Sequence, residues 1–265
     1  MVTAVAVLGV AATALASGFN TYTAKVSFAP SKAGSAHKPS PIGMRQILTA
    51  NGTAGNRAAP LVDLRSTVYG MVSDGKDFPT CSLNTIATAK NDTGCPKGAE
   101  VATGNVHALL GPASNPSATA TGSNGKSAIT ACNPGLDVWN AGQGHLVFFF
   151  TSTTAIGSAH YCGGVKTGST PPYTGTIKQS GKNMVLDVPL PPSVSTMVLG
   201  SPTWGSLIKE DITWKKLTKK VHGKTKAFFA SVGCKNGKRP WKQLFTATFA
   251  PKTESFTTGG SAKCS

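Results

Sequence analysis

The stretch Phe78–Gly104, FPTCSLNTIATAKNDTGCPKGAEVATG, governs how the fold is read. Cys81 and Cys95 bracket a short polar and apolar segment, Pro96 follows at once, and a strand-like run begins at Glu100. Between the cysteines, Leu83, Ile86, Ala87 and Lys90 fall at i, i+3, i+4 and i+7, the spacing of a short helix with one apolar stripe. Ser82 stands where an N-cap is wanted. Two turns of helix do not hold by themselves, so a disulfide and the packing of Leu83 and Ile86 on a sheet must hold them. Closing a loop of this size stabilises a fold by about 3 kcal/mol. The spacing is neither a C-x-x-C nor a Cys/His zinc pattern, so the pair reads as a staple and not as a redox or metal site.

Outward from that loop the chain alternates with period two. Thr21–Phe28, Met44–Ala50, Leu61–Val72 and Glu100–Leu110 read as strands, as do Ile129–Cys132, Leu136–Trp139 and His145–Thr153. Tyr173–Gln179 and Asn183–Val188 flank the turn Ser180-Gly181-Lys182, and Leu190-Pro191-Pro192 stops the ladder because proline has no N–H to donate. Leu207–Leu217, Ala227–Cys234 and Trp241–Phe249 are punctuated by His222-Gly223-Lys224 and Asn236-Gly237-Lys238. Gly111–Lys126, rich in Ser, Thr, Ala and Gly, reads as a flexible surface loop. Leu146–Phe150 is apolar on both faces and belongs at the centre of a sheet. The expectation is an all-β, disulfide-stabilised β-sandwich with one short helix in the Cys81–Cys95 loop. It forms a single domain over 17–265, with the segment 163–172 as the one place where two β halves could divide.

Residues 1–16 resemble a secretory signal peptide. Their apolar run extends from Val5 to Leu15, and Ala14-Leu15-Ala16 is a small-x-small cleavage site, although no Lys or Arg precedes the run. The run is too short to span about 30 Å of hydrocarbon. An even set of cysteines, Cys81, Cys95, Cys132, Cys162, Cys234 and Cys264, suits an exported chain and a disulfide framework. Chain order favours the pairs 81–95, 132–162 and 234–264, the first by proximity and the others by order alone.

Net charge is +16, and Gly200–Ser265 carries thirteen Lys or Arg against three acids. Lys215, Lys216, Lys219, Lys220, Lys224 and Lys226 crowd one segment and are the candidate contact set for an anionic partner, such as a cell-wall polymer or lipid headgroups. Trp214 and Trp241 nearby suggest a single-strand groove, but export, the missing fold signature and the scarcity of Arg weigh against specific nucleic-acid binding.

Signals for catalysis are thin. His37, His107, His145, His160 and His222 sit apart in sequence, and no G-x-S-x-G elbow, H-E-x-x-H, Walker loop or calcium loop is present. Asp74/Asp77 and Glu210/Asp211 are the close acidic sets, the first in turn chemistry and the second opening a strand among lysines. No cofactor, metal or catalytic residue is therefore assigned.

Four runs carry a resemblance: KPSPIG (Lys38–Gly43), VYGMVSDGKDFPTCS (Val68–Ser82), CPKGAEVATG (Cys95–Gly104) and SVGCKNGKRPW (Ser231–Trp241). Together they resemble a group of exported β-rich proteins of actinobacterial soil bacteria, in which an F-P-x-C run precedes a C-P-x-x-(A/S)-x-V-x-x-G run. Ala102 departs from the Gly expected there. The resemblance implies export and β architecture and brings no activity with it. The reading is a secreted, non-catalytic envelope or extracellular protein; the alternatives are an extracellular hydrolase and a structural or adhesion module.

Overall fold

Alternation carries most of the chain into strands. The computed structural model describes residues 12–14, 19–53, 55–249 and 251–265. Strands β1 (Ala12–Ala14), β2 (Asn20–Ala29), β3 (Ser40–Pro41), β4 (Gly43–Gly52), β5 (Leu61–Tyr69) and β6 (Met71–Ser73) precede helix α1 (Leu83–Ala89). Next come β7 (Glu100–Pro112), β8 (Thr130–Cys132), β9 (Gly135–Gly142), β10 (His145–Thr151), β11 (Tyr173–Ser180), β12 (Asn183–Pro189) and the single turn α2 (Pro192–Ser195). Last are β13 (Thr203–Trp214), β14 (Thr218–Val221), β15 (Lys224–Ala227), β16 (Phe229–Ser231), β17 (Lys238–Phe249) and β18 (Lys252–Lys263). The expected leader lies outside the described residues apart from 12–14, which pair with β2.

A 13-stranded sheet runs β1, β2, β4, β13, β7, β9, β10, β11, β12, β5, β17, β18, with β8 attached to β7. Its last strand, β18, lies against β2 and β1. The sheet is therefore nearly closed on itself, and the architecture is barrel-like. The two stacked sheets of the expected sandwich are not what the pairing gives. Twist offers the physical reason: a sheet of this many strands curls until its ends meet, and closure removes exposed edges. Tyr22, Ala24, Val26 and Phe28 of β2 are buried while Lys25 is exposed. On β2 the apolar side chains thus face inward and the charged one outward. Among the described residues no helix is long and apolar enough to cross a membrane.

Strand β10 shows why one run can be apolar on both faces. Leu146 and Phe148 enter the main core, while Val147 and Phe149 belong to an outer cluster with Trp139, Ile86, Ala99 and the Cys81–Cys95 pair. Helix α1 is the cover on that outer face. Ser82 caps it by accepting from the Thr85 N–H at 3.1 Å, and Ile86 is fully buried. Burying side chains such as Ile86, Val147 and Phe149 contributes roughly 1.5–3 kcal/mol each. Leu83, expected to pack beside Ile86, is instead 39% exposed. It is the first residue of the helix, at the end that leads in from the Ser82 cap.

The cysteines pair as 81–95, 132–162 and 234–264. The loop after β7, expected to be flexible, is tied down by Arg57: its Nη2 donates to Pro112 O and Asn115 O, both at 2.9 Å, and its backbone N–H to Pro116 O at 2.8 Å. A low-complexity sequence can still be anchored from outside itself. A second buried guanidinium, Arg239, donates to Gly70 O at 2.8 Å, Tyr69 O at 3.2 Å, Ser231 Oγ and Cys264 Sγ, and lies over the Phe28 ring. It joins the main sheet to the three-stranded sheet of β3, β16 and β6.

Candidate functional site

The basic segment folds into a hairpin of its own. β14 and β15 pair only with each other, and His222 and Gly223 both take left-handed backbone, with φ of 47° and 74°. That is the two-residue turn whose twist matches antiparallel strands. Lys219 stands directly opposite Lys226, and Lys224 opposite Val221. Lys219 Nζ donates to Asp77 O at 2.9 Å, and Lys226 Nζ lies 3.8 Å from the Asp74 carboxylate. These two therefore turn toward the loop before α1. Lys220 pairs across to Thr225 and points to the other face. Lys215 is outside the hairpin and is ion-paired with Glu100. Lys216, Lys220 and Lys224 are exposed and have no ion pair among the described residues. Of the six lysines, three are thus engaged by the protein and three are free.

Two polar clefts each include one of the five histidines. One, of about 500 Å³, includes His145, Ser73, Asp74 and Lys76 above a buried Asn140. Asn140 Nδ2 donates to Gly75 O at 3.1 Å and Pro79 O at 2.9 Å, which fixes the approach to α1. No hydrogen bond links His145 to Ser73 or Asp74 among the described residues, so the members of a hydrolytic triad are present without its connections.

The other cleft, of about 480 Å³, includes Arg45, Asp211, Asp137, Thr151 and His160. Arg45 grips Asp211 through two hydrogen bonds of 2.9 and 2.8 Å. That pairing holds the Asp211 carboxyl below its usual range. Asp137 moves the other way, up to about 7: burial disfavours its charge, and Asp92 and Glu100 repel it, against partial relief from Lys215. His160 stands close to Gly135, where an added Cβ would meet the imidazole at 2.7 Å. His107 Nδ1 lies 3.2 Å from Asn133 Oδ1, and His37 and His222 are exposed in loop and turn.

The third feature lies inside the barrel. A cavity of about 120 Å³ runs between β13 and β11, with Val106, Phe148, Leu186 and Ile212 in its wall. α2 and the 3₁₀ turn after it contribute Val194 and Val198. One carboxyl lines the hollow, that of Glu210. Burial in this apolar surrounding, with the neighbouring Asp211 charge, pushes it up to about 7. Glu210 remains half-buried because part of its surface faces the hollow. Tyr173 lines the opposite wall, and burial together with the Glu210 charge raises its phenol above the ordinary value.

Reading Glu210 as one more surface acid among lysines misses this placement. Strand β13 shifts register between Leu207 and Lys209, and Ile208 is the extra, exposed residue. After that bulge Glu210, Ile212 and Trp214 all line the cavity. The signal was the period of two running backward from Trp214 and Ile212. Compared with known proteins, the chain matches no family model, no curated protein and no solved structure.

Proposed function

We propose that the chain is an exported, non-catalytic protein of the cell envelope or its surroundings that binds an anionic polymer or headgroup surface through the β14–β15 hairpin. The observation that carries this reading is the exposure of Lys216, Lys220 and Lys224 on and beside a small ladder separate from the main sheet. Charge on both faces of a projecting hairpin suits a flexible polyanion better than a rigid, sequence-specific partner. A net charge of +16 adds long-range attraction. Three disulfides are consistent with an oxidising compartment.

The test is co-sedimentation with purified cell wall and with anionic vesicles over a salt series. Retention is expected at low salt and should fade as the Debye length shrinks from about 10 Å at 0.1 M toward about 3 Å at 1 M. Replacing Lys216, Lys220 and Lys224 together by Gln should remove most of it. No retention at low salt, or retention indifferent to the triple replacement, would sink the reading.

A further inference from the structure

We infer that the cavity inside the barrel is a binding site for a small, neutral molecule, hydrocarbon over most of its surface and carrying one hydroxyl group. This goes beyond the polyanion reading and uses none of the hairpin lysines.

Gln46 is 1% exposed, lines the cavity, and its Oε1 has no hydrogen-bond partner among the described residues. Trp214 is 2% exposed, lines the same space, and its Nε1–H is likewise unpaired. The pairing of β4 with β13 places them together: Gln46 stands opposite Ile212, and Glu210 and Trp214 flank Ile212 two positions away on the same face. One wall of the hollow therefore presents an unpaired acceptor, an unpaired donor and a carboxyl within a small patch. Buried polar groups ordinarily find partners, and two orphans beside a carboxyl mark a place where a partner is supplied from outside.

The chemistry of the three selects the ligand class. A hydroxyl accepts from Trp214 Nε1–H and donates to Gln46 Oε1 or to Glu210, matching the patch in both senses. A hydrocarbon leaves every orphan unpaired. An ammonium gives Trp214 nothing to donate to, and a carboxylate sets a second anion beside Glu210. Size narrows the choice further, since a comparable apolar cavity of about 150 Å³ admits a benzene-sized molecule. A single-ring phenol or a short-chain alcohol is the fitting class, and Phe148 and Tyr173 offer ring faces to it.

The experiment compares 4-ethylphenol with ethylbenzene, the same molecule without its hydroxyl, by saturation of ligand-detected NMR signals on the full chain. The phenol should bind saturably and at least about tenfold more tightly, the discrimination that an unpaired buried polar group imposes. Gln46→Leu, nearly isosteric and free of the orphan amide, should still fold and should cut that preference severalfold; Trp214→Phe should act in the same direction. Filling the hollow with Ala108→Leu should abolish binding of both, and a folded variant that still binds points to a surface site and overturns the proposal. So do equal affinities for the two probes, a preference unchanged in Gln46→Leu, or no saturable binding, which would leave water as the only partner of the three groups.

Discussion

Arg239 is where a single side chain carries the most structure. It is 1% exposed, and desolvation lowers its pKa to about 10, yet its hydrogen bonds go to carbonyls, a hydroxyl and a sulfur with no carboxylate among them. Its planar fork satisfies acceptors on different elements at once, which a lysine ammonium does not reproduce. Arg239→Leu should cost about 3 kcal/mol or more, because the acceptors stay buried while their donor disappears, and Arg239→Lys should recover only a minor part. Urea unfolding of the three proteins measures this; a loss below about 1 kcal/mol in Arg239→Leu contradicts it.

Titration belongs to the same scale. Glu210 and Asp137 both have carboxyls raised to about 7 in the folded state, above their unfolded values of 4.5 and 3.8. Between those limits the folded protein holds more protons than the unfolded chain, so their contribution is complete below the unfolded values and is lost as pH rises through about 7. Melting temperature measured from pH 5 to pH 8 should therefore fall less in Glu210→Gln and in Asp137→Asn than in the unaltered protein. Profiles parallel to the unaltered protein's would refute the assignment.

At the scale of elements, the short helix shows how sequence and packing divide the work. Ser82 and the i, i+3, i+4 spacing announce α1, but the side chain that anchors it is Ile86 alone. Ile86→Ala should destabilise by about 2–5 kcal/mol through a cavity over Val147 and Phe149. Leu83→Ala should change little, and Ser82→Ala should cost about 1 kcal/mol. Thermal unfolding of the three variants checks that order, and a Leu83 effect equal to that of Ile86 would reverse it.

Most strands, the helix and the hairpin turns could be read from alternation and turn residues. β18 could not, for a physical reason. Its sequence KTESFTTGGSAK has few apolar residues, and at one inward position Gly260 lies against the Trp241 ring, where an added Cβ would come within 2.8 Å of the indole. A bulky neighbour has taken the space that a recognisable side chain would fill. The candidate site was legible only in part. The lysine cluster is visible in sequence, but which lysines the protein itself engages depends on Glu100, Asp74 and Asp77, two of them in the loop before α1. The cavity depends on β13 meeting β4 and β7, pairings that no local pattern encodes.

At the scale of the whole molecule, one large sheet ties distant parts of the chain together. Strands on either side of the segment 163–172 share the large sheet: β11 continues the ladder from β10, and β5 is held between β12 and β17. A chain ended after Gly237 loses β17 and β18 and exposes one side of β5. It should lack a cooperative unfolding transition and be digested rapidly by protease; a truncated chain that melts sharply would show that the two strands are an appendage.

The order of pairing also bears on how the protein is made. Thr49 finds its partner in Lys209, and Val68 in Trp241, so strands produced early wait for strands far along the chain. While they wait, Leu146–Phe150 has neither its complete core nor a finished barrel around it. Such non-local assembly is slow and open to aggregation. The large sheet comes round on itself through β18, the strand rich in glycine and threonine that lies against β2 and β1, so closure waits on a strand made long after its neighbours.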